Sequence, residues 1–395
     1  MLIRRWFHVS VSLFMALLLV LSGCSSGGGS GSGGGSGSEG GSSASAQNGG
    51  GSGSSGSSGG GSGSSSPASS QSGKTFNLIA STHSPPGIPM TGAWDAFLDE
   101  IEKRSNGRIT FERYYNGALS DGYDVIDKIS SGVMDVALLF PEWQSGRMML
   151  NTIGTLPTLY ENSWAATKAM TELYKSTPEL QQEAESAGIV NIGFLQAPPQ
   201  YFVSTKPING FDDLKGQRVQ TLGPVAATIA QQLGMTPVSV PFTDAYDALS
   251  RGTIDAVMLG VTTSVSFGLN EAAKYAWKIP LNGISGSYAI SKTVWDELPD
   301  DLKALIEEIR DEFQPDSFYQ IYQAGDNHFE GVYQEAGGTI VEASAEDVAR
   351  LKSIVADTVW KDWVNGQSAI QADRQAILDR FIELIGKYGQ ENPFK

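Results

Sequence analysis

Apolar and polar positions along this chain fall into short units of strand followed by helix. Residues 76–81 read as a strand. The helix after it sets Trp94, Phe97 and Ile101 on one face, the three- and four-residue spacing of an amphipathic helix. In the second half, 218–222 read as a strand and 225–233 as a helix, with Pro224 suited to the first turn. Two stretches echo one another, 129–138 and 249–258. Each leaves a helical pattern, passes Gly132 or Gly252 as a helix terminator, then Asp135 or Asp255, and enters a short apolar strand. The Asp in each suits a strand entry on the surface. The C-terminal part reads as helices over 298–313, 345–363 and 369–388. Alternating strands and helices predict an α/β protein with mostly parallel sheets covered by helices. Ligands of such sheets bind beyond the carboxyl ends of the strands, and two facing lobes make a cleft that a hinge can close.

Composition adds a leader and a tether. Arg4 and Arg5 precede an apolar run over 9–21, which is shorter than the roughly 20 residues a membrane-spanning helix needs. The run ends in Leu21-Ser22-Gly23-Cys24, and Cys24 is the chain's one cysteine. Positive residues, a short apolar core, small residues and a cut make a secretory signal over 1–23. The ending resembles the bacterial lipobox, which implies that Cys24 is diacylated and anchors the mature chain to the cell membrane. Residues 25–71 are almost wholly Gly and Ser and have too few apolar groups to form a core. They read as a flexible tether, 24–73 with its anchor, with a root-mean-square reach of roughly 40 Å. The remaining stretch of about 320 residues exceeds the usual single core and predicts two lobes. A formal net charge of −16 argues against nucleic acid or anionic lipid as the main partner.

Several motifs in order then carry a resemblance. They are Gly107-Arg108-Ile109, Leu156-Pro157, Lys206-Pro207-Ile208, Asp213-Leu214-Lys215-Gly216, the run from Pro241 to Leu249, Gly252 to Asp255, and the run from Lys292 to Pro299. Together they resemble the solute-binding subunits of TRAP (tripartite ATP-independent periplasmic) transporters, of the C4-dicarboxylate-binding type, over essentially all of 76–388. The resemblance implies a two-lobed, periplasmic-binding-protein-like α/β fold with a hinge and long C-terminal helices. The lobes would be 74–197 plus 286–325 and 198–285 plus 326–395. It also implies capture of a small organic solute outside the cytoplasmic membrane and delivery to TRAP permease subunits, with no cofactor and no metal.

The resemblance breaks at its carboxylate anchors. An arginine fork matches a carboxylate with two parallel hydrogen bonds. Aligned on Leu-Lys-Gly, the family's strand arginine corresponds to Gln220, and Arg218 lies two residues earlier on the same strand face. A second family arginine corresponds to Gln200, and a family asparagine to Leu259. Two accounts stay open. Either Arg218 has taken over the carboxylate, or the solute is neutral or only partly anionic and the two amides read its polar groups. Other cleft candidates are His83 after the first strand, Glu142 and Trp143 after the strand over 133–140, Tyr201 in an interlobe crossover, Phe242, and Thr262 in Gly260-Val261-Thr262-Thr263. Trp277 and Trp295 read as core.

An enzyme has little support. His83 and His328, the body's two histidines, stand in no His/Cys/carboxylate cluster at metal-ligand spacing. Gly73-Lys74-Thr75 matches the tail of a phosphate-binding loop, but Ala68 stands where its first glycine belongs and a strand follows instead of a helix. A ligand-binding receptor domain for a sensor would use the same fold.

Overall fold

The computed structural model describes residues 73–394, apart from Ser145, Leu222, Phe242, Thr243, Asn282 and the side chain of Pro224. Cys24, the leader and the tether up to residue 72 lie outside the described residues. The strands are β1 (Phe76–Ser81), β2 (Ile109–Tyr114), β3 (Val136–Leu139), β4 (Ile189–Ala197), β5 (Phe202–Ser204), β6 (Arg218–Gln220), β7 (Thr236–Val238), β8 (Ala256–Met258), β9 (Tyr275–Lys278), β10 (Ile284–Ser291) and β11 (Thr339–Glu342). One sheet has the order β2-β1-β3-β10-β4 and the other β11-β9-β5-β8-β6-β7. The α/β expectation holds.

Each sheet is parallel except for one strand, β10 in the first and β5 in the second. Chain length explains both exceptions. β4 ends at Ala197 and β5 begins at Phe202. The four residues between reach at most about 14 Å. They can enter the second sheet only at its near edge, so β5 runs backwards through it. The five residues from β9 to β10 impose the same on the return.

The echo becomes two equivalent corners. Gly132 and Gly252 end helices Val125–Ser130 and Ala245–Ser250 at φ of 72° and 66°, which favours glycine. The Asp after each does more than open a strand. Asp135 Oδ2 accepts from the Ile79 backbone N–H at 2.8 Å, and Asp255 Oδ2 accepts from the Arg218 backbone N–H at 2.9 Å. Each therefore ties its own strand to the parallel neighbour, β1 or β6. The surface placement expected for the pair fails at Asp255, which is buried.

Helix Gln314–Glu335 bridges both cores: Phe318 and Tyr322 pack beneath the first sheet, and Tyr333 packs beneath the second. The sequence pattern gave no helix here, because Pro315 interrupts and the following stretch is polar. Pro315 has no N–H for the Asp311 carbonyl, and the turn before it, Ile309–Phe313, widens into a π-helix. Lys168 Nζ donates to that freed carbonyl at 2.8 Å. The last helix, Arg374–Glu391, lies along helix Ser163–Ser176 beside the first sheet. Trp360 and Trp363 fasten the preceding turn to Pro157 O and Thr152 Oγ1 at 3.0 and 3.1 Å. The reading that grouped all of 326–395 with the second lobe thus differs in its tail. Trp277 is fully buried, and Trp295 is half-buried against the first core. Among the described residues no helix is long and apolar enough to cross a membrane.

Candidate functional site

Strand direction sets the site. β1, β3 and β4 end, and β10 begins, at one edge of the first sheet. β6, β8 and β9 end, and β5 begins, at one edge of the second. The crossovers 198–201 and 279–283 join these two edges, so the carboxyl ends of both sheets face a common cleft. Tyr160 draws the crossovers together. Its hydroxyl donates to Ala197 O at 3.0 Å, and a Cβ on Gly283 would stand 2.1 Å from the Tyr160 hydroxyl oxygen, so only glycine fits there.

On the first wall, His83 and Trp143 follow β1 and β3 as predicted and meet at 5.1 Å between ring centroids. Phe140 packs on Trp143 at 4.7 Å and exposed Tyr123 stacks on it at 4.8 Å. A Cβ on Gly122 would come within 2.9 Å of the Trp143 ring, and the residue sits at φ 99°. Burial pushes the His83 imidazole down to about 4 against an upward pull from Asp121, so it is neutral at pH 7. Its Nδ1 is buried without a partner.

Glu142 lies on the same turn. Its side chain is open to water, yet burial pushes its carboxyl up to about 8. The two observations differ in kind. Contact with water is local, whereas the cost of the charge depends on the whole surrounding shell. The upward direction stands on the shell. Tyr160 and Tyr123 both feel its charge.

The second wall is polar. Gln200 Oε1 accepts from Gly260 N at 3.2 Å, and Gln200 O accepts from Leu281 N at 3.0 Å, so this residue clasps both crossovers to the end of β8. Thr262 Oγ1 donates to Asp326 Oδ1. Burial raises the Asp326 carboxyl, and the Thr262 bond offsets part of that rise. Tyr201 is pushed up to about 12 by burial, against Lys278, whose Nζ lies 5.7 Å from the ring centroid. Lys278 in turn pairs with Glu330 at 2.9 Å and Glu342 at 3.1 Å. Between Gln200, Tyr201, Thr262, Tyr322 and Asp326 lies a cavity of about 50 Å³. That is room for one or two waters. A solute of ten heavy atoms needs the walls to part. A roomier hollow lined by Glu100, Arg104 and Phe313 lies at the opposite end of the first sheet, where Arg104 already pairs with Glu308.

Two candidates stand elsewhere. Arg218 opens β6 at the edge away from the crossovers, and its Nε and Nη2 fork onto Asp255 at 3.0 and 3.1 Å. Burial alone would raise the Asp255 carboxyl, but hydrogen bonds from Arg218 and Lys206 outweigh it and hold it well below the usual range. This strong counter-ion removes Arg218 from the cleft and leaves the shifted-arginine account without its arginine. Leu259 is buried in the second core, and only its N–H, donated to Tyr201 O at 3.0 Å, faces the crossover. Phe242 lies outside the described residues. Gln220 ends β6 at the cleft edge, buried, with Nε2 donating to Val240 O at 2.7 Å.

The sequence pattern of the bacterial extracellular solute-binding proteins, family 7, matches residues 79–366. The chain belongs to this family. A solute-binding protein of Albidiferax ferrireducens is 27% identical over 280 residues, covering 68% of this chain and 79% of the relative. In fold, the family 7 body resembles a TRAP solute-binding protein from Rhodoferax ferrireducens in complex with copurified benzoate, at 23% identity and TM-score 0.71, covering 80% of this chain and 99% of that one. It also resembles one from Bordetella bronchiseptica with bound mandelate, at 20% identity and TM-score 0.68, covering 79% and 99%.

Sequence reasoning missed Tyr160, Tyr322 and Asp326. Tyr322, Asp326 and Glu330 recur every fourth residue, which is one face of a helix, but the signal is readable only once the helix is known.

Proposed function

We propose that this chain is an extracytoplasmic, lipid-anchored member of family 7. It captures a small organic solute between its two sheets and hands it to a TRAP-type membrane permease. The observation that carries the reading is the cleft itself. In a chain of this family, two short crossovers turn the carboxyl edges of both sheets toward one another, and unpaired polar and aromatic groups line the gap. A hinge at 198–201 and 279–283 lets the lobes, near 74–197 plus 286–325 and 198–285 plus 326–395, close over the solute, with the last helix riding on the first lobe. The structural neighbours bind benzoate and mandelate, so solutes of that size belong in the screen. Gln200 and Gln220 in place of arginines favour a solute other than a simple dicarboxylate.

Cys24 supplies the anchor and residues 25–71 the leash, which keeps the body near its permease while leaving it free to turn. Replacing Cys24 by Ser should move the protein from the detergent phase to the aqueous phase. For capture, a metabolite panel should contain a few compounds that raise the melting temperature and are recovered unchanged. Stabilisation grows as the logarithm of ligand excess, about 2.7 kcal/mol at a hundredfold excess over Kd. Turnover of a bound compound would overturn the binder reading.

A further inference from the structure

Resting on the capture reading, we propose that the solute carries a hydroxyl group that enters the cavity at the crossovers, where Tyr322 and Asp326 of the bridging helix bind it. Size narrows the occupant. A cavity of about 50 Å³ cannot hold a solute of ten heavy atoms, but it matches one hydroxyl group, or the water that such a group displaces. Both lobes build its wall: Met90, Ala197 and Tyr322 from the first, Tyr201, Thr262 and Asp326 from the second. Met90 also joins it to the ring wall of the cleft by direct contacts. Its Sδ lies 3.6 Å from Ser84 Oγ, that oxygen lies 3.3 Å from His83 Nε2, and the His83 ring lies 5.1 Å from Trp143. The hydroxyl therefore sits at the crossovers and the rest of the solute extends toward His83 and Trp143.

The polar groups of the cavity suit an occupant that both donates and accepts. Tyr322 is 7% exposed, and its hydroxyl is buried without a hydrogen-bond partner. A buried O–H in that state is costly, and an incoming acceptor removes the cost. Asp326 stands four residues on, on the same helix face, and lines the same cavity. Its Oδ1 accepts from Thr262 Oγ1, and no described hydrogen bond reaches its Oδ2. Gln200 Oε1 is taken by Gly260 N, which leaves its Nε2 hydrogens as further donors. Glu330, also on the wall, is held by Lys278 at 2.9 Å. A solute hydroxyl accepts from Tyr322 through its oxygen and donates its hydrogen to Asp326, so one small group completes both. A ring C–H completes neither. A carboxylate is larger and offers acceptors alone, and an ammonium offers donors alone. The hydroxyl-free analogue of the solute is rejected because its entry strands these buried polar groups.

The test uses pairs that differ by one hydroxyl: benzoate and 3-hydroxybenzoate, phenylacetate and mandelate, benzamide and 3-hydroxybenzamide. Each is titrated calorimetrically into the full chain and into Tyr322→Phe. In at least one pair the hydroxylated member should bind wild type roughly tenfold or more tightly than its partner. Tyr322→Phe should bring that pair within about threefold by weakening the hydroxylated member. A purely structural tyrosine would weaken both members together and leave their ratio, and that result overturns the assignment. So does a hydroxyl preference that survives in folded Tyr322→Phe, or the lack of a preference in every pair that binds, which leaves capture intact. If Tyr322→Phe does not fold, Asp326→Asn, which keeps an acceptor for Thr262, is read against the same ratio. Pairs and a wider metabolite panel that never move the melting temperature overturn capture as well.

Discussion

Replacing His83 by Phe should flatten the acid limb of the stability curve. The imidazole sits half-buried between Phe140 and Trp143, 5.3 and 5.1 Å from their ring centroids, and burial lowers its pKa from 6.5 to about 4. The sign follows from linkage. A histidine depressed in the folded state must stay neutral to fold, so its contribution is nearly complete above pH 6.5 and is lost as pH falls toward 4. With those two pKa values the loss is about 0.2 kcal/mol at pH 7 and about 3 kcal/mol at pH 4; water reaching the cleft trims the latter to about 2–3. Urea melts of wild type and His83→Phe at pH 7, 5.5 and 4 measure it. The phenyl keeps the ring contacts, so a constant offset from lost hydrogen bonding is allowed. The gap between the two proteins should shift in favour of the variant by about 2–3 kcal/mol from pH 7 to pH 4. Parallel curves across that range would refute the reasoning, since they would mean the imidazole protonates as easily in the fold as out of it.

Other perturbations separate structural charges from solute contacts. Arg218→Ala should leave solute affinity within twofold, because its fork is on Asp255, while Asp255→Ala should cost about 2–4 kcal/mol by stranding the β6 amide and two cations, read from urea melts. Gln220→Arg places a guanidinium at the cleft edge and should raise benzoate affinity at least tenfold by calorimetry, at a stability cost of about 1–3 kcal/mol for the buried site. Lys168→Met should lower stability by about 1–2 kcal/mol by leaving the Asp311 carbonyl, already abandoned by Pro315, without a donor.

The architecture was readable where local chemistry agrees with the fold. Gly132 and Gly252 each sit between an apolar helix face and an apolar strand, and the same residues make both corners. Backbone partners were not readable. Asp135 and Asp255 look like surface residues until the topology brings Ile79 and the Arg218 amide beside them. The same blindness affected Arg218. Placing it on the face of Gln220 said nothing about Asp255, 37 residues later in the chain, whose carboxylate takes the fork. Leu259 was named by its spacing from Asp255, yet at that position the main chain faces the crossover and the side chain faces the core. His83, Glu142 and Trp143 were findable because strand ends at an α/β edge are where ligands bind. Tyr322 and Asp326 were not, because the helix that carries them is polar and begins at a proline whose missing N–H is offset from another helix, by Lys168.

Hydrogen exchange with and without the tightest-binding member of the solute panel tests the central claim most directly. Capture between the sheets predicts simultaneous slowing in 80–84 and 140–143 on the first wall and in 198–201 and 259–263 on the second. Slowing confined to one wall, with saturating solute bound, would contradict it.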